Sequence, residues 1–296
     1  MKTASNILLI ACALFATTVV AGEHVDQTIK APGDGTVQIE NLAGSITVSA
    51  WDRNEVRVEG ELDDRVERLE FENEGNFTRV KVIYPRNLRG NVEGTNLNIT
   101  VPATSRLEVG GVSSEVDVRG VSGTVRVDTV SGNISVDNAT NDYSLESVSG
   151  NIRLEGTQDD ARVKASTVSG DLRLGDIQGE LDAGSVSGDI SVKGGELTRV
   201  EAANTSGDID VRANFADAGS YRFKSISGNI VLGFENAPQG TFDITTFSGG
   251  IDGDFGPEPQ RTSRYSPGME LKFREGDAAA EFRANTLSGD ISLRKE

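Results

Sequence analysis

The chain has 296 residues, a net charge of −17, and only 5% aromatic residues beside 34 glycines. So acidic a surface disfavours nucleic acid and anionic membrane surfaces as partners. Few large rings among many glycines argue for many short strands and turns.

Lys2, the fourteen-residue apolar run from Ile7 to Val20, and the small residue Ala21 have the form of a secretory signal peptide over residues 1–21. The run is short for a membrane span. It includes Leu9-Ile10-Ala11-Cys12, a weak lipoprotein box. Cleavage after Ala21 removes Cys12, the only cysteine, leaving an exported chain that relies on its core and ladder hydrogen bonds.

Residues 22–110 form an N-terminal β region, either early coils or a cap, with strands expected at 36–40, 45–49, 55–59, 79–83 and 97–101. Charged residues 63–72 suit a long turn or a short helix. Trp51 is a candidate for stacking on a sugar, although a lone Trp among strands more often packs.

From residue 111 to 296 one phrase recurs. With the glycine of each Ser-Gly pair as position zero, it falls at Gly132, Gly150, Gly170, Gly188, Gly207, Gly228, Gly249 and Gly289. The steps are 18, 20, 18, 19, 21, 21 and 40, so the last gap reads as two repeats. Apolar residues fill position +2 (Ile134 to Ile291) and position −7 (Val125 to Phe282), with polar residues between them. That is the period of a strand with one face buried. Position −3 is always a small hydroxyl or amide, from Thr129 to Thr286, suited to bonding its neighbours or the corner backbone.

A unit of about twenty residues with two short strands buries its apolar face only by stacking on copies of itself. The expected fold is therefore all-β: a β-solenoid, parallel β-helix-like, of about nine coils of 18–21 residues. Glycine permits the tight corner, and Asp or Asn suits the residue beside it. An antiparallel meander is the rival, but like-on-like columns favour the solenoid. Residues 253–268, with Pro257, Pro259 and Pro267, read as a protruding loop in place of a regular turn. The charged end Arg294-Lys295-Glu296 would discourage strand addition to the last coil.

Three stretches together, Gly44 to Gly60 (GSITVSAWDRNEVRVEG), Leu97 to Val109 (LNITVPATSRLEV) and the VSGDI-type array, resemble a bacterial putative-adhesin domain family of largely undefined function. The resemblance covers nearly the whole chain after residue 21. It implies a β-solenoid-like fold and an exported protein of the bacterial periplasm or cell surface, and supplies no catalytic residue set.

Chemistry is sparse. His24 is the only histidine, and neither a phosphate-binding glycine loop nor His/Cys metal spacing occurs, so no cofactor is expected. Asp171, Asp189 and Asp208 occupy position +1 in successive coils, about 4.8 Å apart. They are primarily turn residues, with cation binding or carboxylate catalysis as lesser readings. Arg261, Arg264 and Tyr265 in the Pro-rich loop are possible ligand contacts. Two functions follow: a non-enzymatic, adhesin-like envelope protein presenting an extended surface to a protein or glycan, or a polysaccharide-active lyase or glycosidase using surface carboxylates.

Overall fold

Alternating side chains dictate strands. In a computed structural model that describes residues 24–87, 92–137, 142–157, 160–236, 238–263, 267–277 and 279–296, every regular element is one. The expected signal peptide, residues 1–21 with Cys12, lies outside the described residues.

The first seven strands are β1 (His24–Lys30), β2 (Thr36–Trp51), β3 (Glu55–Glu61), β4 (Arg68–Glu74), β5 (Phe77–Ile83), β6 (Thr95–Pro102) and β7 (Arg106–Arg119). The regular array follows as β8 (Val125–Thr129), β9 (Ile134–Asp137), β10 (Tyr143–Ser147), β11 (Ile152–Glu155), β12 (Ala161–Ser169), β13 (Leu172–Ser187), β14 (Ile190–Ser206), β15 (Ile209–Ser227) and β16 (Ile230–Phe234). The chain ends with β17 (Gly240–Ser248), β18 (Ile251–Gly253), β19 (Gln260–Arg261), β20 (Met269–Glu275), β21 (Glu281–Ser288) and β22 (Ile291–Lys295).

These strands stack in two ladders around one core. The first runs β4-β5-β2-β7-β8-β10-β12-β13-β14-β15-β21-β17-β20, parallel from β5 to β17 and antiparallel at each end. The second runs β1-β3-β6-β2-β7-β9-β11-β13-β14-β15-β16-β22-β18, antiparallel only over its first two pairings. Because β2, β7, β13, β14 and β15 pass through both ladders, the sheet folds round on itself into a tube.

The solenoid-like, all-β expectation holds, but coil number and order differ from it. Among the described residues each ladder has eleven parallel rungs, not about nine, because β2 and the β5/β6 pair join the same stack. The stack departs from sequence order at both ends. β2 lies between β5/β6 and β7, and the last strands, β21 and β22, slot between β15/β16 and β17/β18. The 40-residue gap is thus not two more coils. Between β18 and β21, which both join the parallel stack, it holds a β19–β20 hairpin whose β20 caps β17 antiparallel. The Pro-rich loop also turns inward at Phe255, whose ring lies 5.3 Å from Phe234 and 6.1 Å from Phe242. The charged end at Arg294, Lys295 and Glu296 is inside the stack and guards no edge.

Each corner is held in two ways. The position −3 side chain is buried, and in six of the eight repeats it bonds the carbonyl of the neighbouring coil's corner glycine, as Thr167 to Gly150 at 3.2 Å, Asn204 to Gly188 at 2.7 Å and Thr286 to Gly228 at 3.2 Å; Thr129 and Ser225 make no such bond. Backbone bonds also continue through the corner, as from Gly207 N–H to the Ser227 carbonyl at 3.1 Å.

The charged segment 63–72 contains no helix. It is a turn leading into β4, organised by Asp63, which is 6% exposed. Its carboxylate accepts backbone N–H bonds from Arg65 (2.9 Å), Glu93 (2.7 Å) and Gly94 (3.0 Å). Burial alone would raise this carboxyl, but the three N–H donors and the Arg65 charge outweigh it and hold it below its ordinary range. A depressed folded value means the stabilisation is full above the unfolded value of about 3.9 and disappears as pH falls through the folded one. Asp63→Asn is expected to cost about 2 kcal/mol at neutral pH. The gap from wild type in urea titrations should close in acid, and a pH-independent gap would refute the carboxylate's role.

Candidate functional site

Strand parity places positions −7, −5 and −3 inward and −6, −4 and −2 outward. At −6 and −4 the outward residues are mostly charged or polar, including Arg126, Lys164, Glu146 and Lys224. At −2 they are apolar. Val112, Val130, Val148, Val168, Val186, Ile226, Leu287 and Phe247 are exposed large hydrophobics, from 44% at Val112 to 57% at Phe247. Parallel register stacks them in that spatial order, with Thr205 between Val186 and Ile226. The nine positions form one continuous edge about 40 Å long, at roughly 4.8 Å per rung.

The apolar edge is bordered by the exposed serines of position −1 on one side and by position −4 on the other. A groove of about 370 Å³ runs beside it, between Asp128, Glu146 and Ser166 on one wall and Val148 and Val168 on the other. Lys164 Nζ donates to Glu146 Oε1 at 2.8 Å, and this hydrogen bond lowers the Glu146 carboxyl and raises the Lys164 amine. A larger concavity, about 540 Å³, lies at the other end of these strands, where Glu180 is ion-paired to Arg162 (3.8 Å) and Arg199 (4.0 Å). Charged side chains of both signs line it, whereas the apolar edge exposes eight large hydrophobic side chains.

The residues singled out from sequence do not converge. Asp171, Asp189 and Asp208 do stack, but as a side-chain-to-backbone ladder. Asp171 Oδ1 accepts the Asp189 N–H at 3.1 Å, Asp189 Oδ1 the Asp208 N–H at 2.9 Å, and Asp208 Oδ1 the Asn229 N–H at 2.7 Å. Asn133 and Asn151 do the same in their coils, which is why amide and acid interchange at this position. Among the described residues no group of three His, Cys, Asp or Glu side chains is placed to hold a metal ion.

Trp51 ends β2 half-buried. Its Nε1 donates to the Glu55 carbonyl at 2.7 Å, and the Arg53 guanidinium lies 5.1 Å over its ring. Arg261 is exposed on β19, away from Trp51's end of the stack, while Arg264 and Tyr265 lie outside the described residues. The apolar edge itself was missed, although its signal is present: a Val, Ile, Leu or Phe directly before Ser-Gly, at an outward parity, in every repeat but one.

Residues 35–294 match the family model described as Toastrack DUF4097. No curated protein matches the chain. Among solved structures it is similar to a putative lipid binding protein from Parabacteroides distasonis ATCC 8503. That likeness has 14% identity and a TM-score of 0.50, over 94% of this chain and 99% of that one. It is also similar to a putative adhesin from Bacteroides fragilis NCTC 9343, at 12% identity and a TM-score of 0.48, over 92% and 97%. At 14% identity the likeness to the Parabacteroides structure extends to the fold alone.

Proposed function

This chain belongs to the Toastrack DUF4097 family, and we infer that it is a non-enzymatic, adhesin-like scaffold of the bacterial cell envelope that holds a protein partner along its apolar edge. The edge is the observation that carries this reading. A continuous row of half-exposed apolar side chains this long is unusual on a soluble surface and marks an interaction site. Its chemistry favours protein over glycan, since sugars stack on aromatic rings and the row offers one, Phe247. The signal-like residues 1–21 support an exported location.

A polysaccharide-active enzyme finds no support. The three stacked aspartates each commit an oxygen to the neighbouring coil's backbone.

The combined variant Ile226→Thr, Phe247→Thr and Leu287→Thr tests the reading. Thr205 already occupies the same column, so the fold should tolerate it. Circular dichroism should be unchanged, while binding to the partner recovered with the wild-type protein from envelope extracts should weaken at least tenfold. Undiminished binding would remove the edge from the function.

A further inference from the structure

Resting on that reading, we propose that the partner on the apolar edge is a second copy of this chain, packed antiparallel edge to edge about a twofold axis. Three features of the edge select this occupant.

The first is side-chain size. The row is graded, with valines at one end (Val112, Val130, Val148, Val168, Val186) and Ile226, Leu287 and Phe247 at the other. Two rows laid in the same direction would set Phe on Phe and Val on Val, so the rods would splay. Laid in opposite directions and centred on Val186, they set Val112 on Phe247, Val130 on Leu287 and Val148 on Ile226. A larger side chain then meets a valine on the three outermost rungs at each end, while near the axis Val168 meets Thr205 and Val186 meets its own copy, so the rods stay evenly spaced.

The second is charge. A twofold axis across the rods also brings the two −4 columns face to face in reverse order. In the register just given, Glu146, on the rung of Val148 and already bonded to Lys164 through Oε1, comes opposite Lys224, on the rung of Ile226, as a second cation. The serine columns face each other on the opposite side and add no charge. Parallel packing would oppose each −4 column to a serine column and lose that pairing.

The third is area. Eight half-exposed apolar residues leave about 600 Å² per chain, and the flanking columns bring this near the roughly 800 Å² per partner of a standard interface. Each chain carries −17, so contact must outweigh repulsion between the rods, and added salt is expected to strengthen the pair.

Single cysteines placed in a Cys12→Ser background of the full chain read the geometry directly. Val186→Cys lies on the axis and should cross-link to itself under mild oxidation. Val130→Cys alone should not, because its two copies sit about 29 Å apart, six rungs of roughly 4.8 Å. Val130→Cys mixed with Leu287→Cys should cross-link. Sedimentation should show a dimer that the triple threonine variant weakens at least tenfold. Equal self-cross-linking at all three positions would mean a parallel pair and overturn the proposal, as would a wild-type monomer at tens of micromolar. A monomer whose other partner is still lost in the triple variant would leave the apolar edge as the functional surface and reject only the second copy. Flotation with phosphatidylcholine vesicles, lost in the same variant, would name a lipid occupant and reject a protein one.

Discussion

Phe282→Ala is expected to cost about 3–5 kcal/mol, the upper range for emptying a buried aromatic site. Phe282 is 1% exposed and lies in a column of stacked rings: Tyr221, Phe282, Phe242, Phe273. Its centroid is 4.7 Å from Tyr221 and 4.5 Å from Phe242, the latter pair within 3° of coplanar, and Phe215 and Phe234 close its sides at 5.3 and 5.5 Å. The residue stands on β21, the strand slotted between β15 and β17, so its loss loosens contacts to both neighbours. Val200→Ala, at the same frame position in mid-stack, removes fewer atoms and should cost about half as much. A double-mutant cycle in denaturant between Tyr221→Ala and Phe282→Ala tests coil order as well as stability. Stacked rings should couple by about 0.5–1.5 kcal/mol. If the coils stacked in sequence order, Tyr221 would neighbour Phe242 instead, and the coupling would be near zero.

The second large effect is expected at the corner. Gly207 has φ +129°, and a β-carbon there would lie 2.4 Å from the Gly188 carbonyl oxygen of the adjacent coil. No rotamer relieves that contact, because both atoms are backbone-bound and the coil spacing is set by the ladder. Gly207→Ala should therefore cost about 3 kcal/mol or more, combining left-handed strain with coil separation. Gly184→Ala is the control. Its added β-carbon meets nothing nearer than Ser166 Cβ at 4.0 Å, so it should be neutral or slightly stabilising. Thermal melts of the two variants decide the point, and similar melting temperatures would remove the close approach as the reason for glycine at the corner.

Much of this architecture was legible one coil at a time. Inward positions −7, −5, −3 and +2 were readable from parity, and the hydroxyl or amide at −3 does bond the corner backbone. The resemblance drawn from residues 44–60, 97–109 and the repeat led to the right family, whose model spans residues 35–294. The aspartate column was readable as turn chemistry, while its backbone ladder needed coordinates. Residues 63–72 misled because their charge pattern suits an exposed turn or helix equally, whereas Asp63 is buried by contacts from residues 93 and 94, thirty positions away.

Local sequence thus settled what a coil is: strand, Ser-Gly corner, strand, with a defined inner and outer face. These are properties of backbone freedom and side-chain parity within about twenty residues. Which coil lies against which was decided only in three dimensions. Every coil presents the same ladder of N–H and C=O groups, so hydrogen bonding cannot discriminate between neighbours. The choice falls to long-range packing of unlike side chains, above all the ring column that draws Phe282 between Tyr221 and Phe242. The same stacking turns single apolar residues before each Ser-Gly pair into one continuous edge, a feature no individual repeat contains.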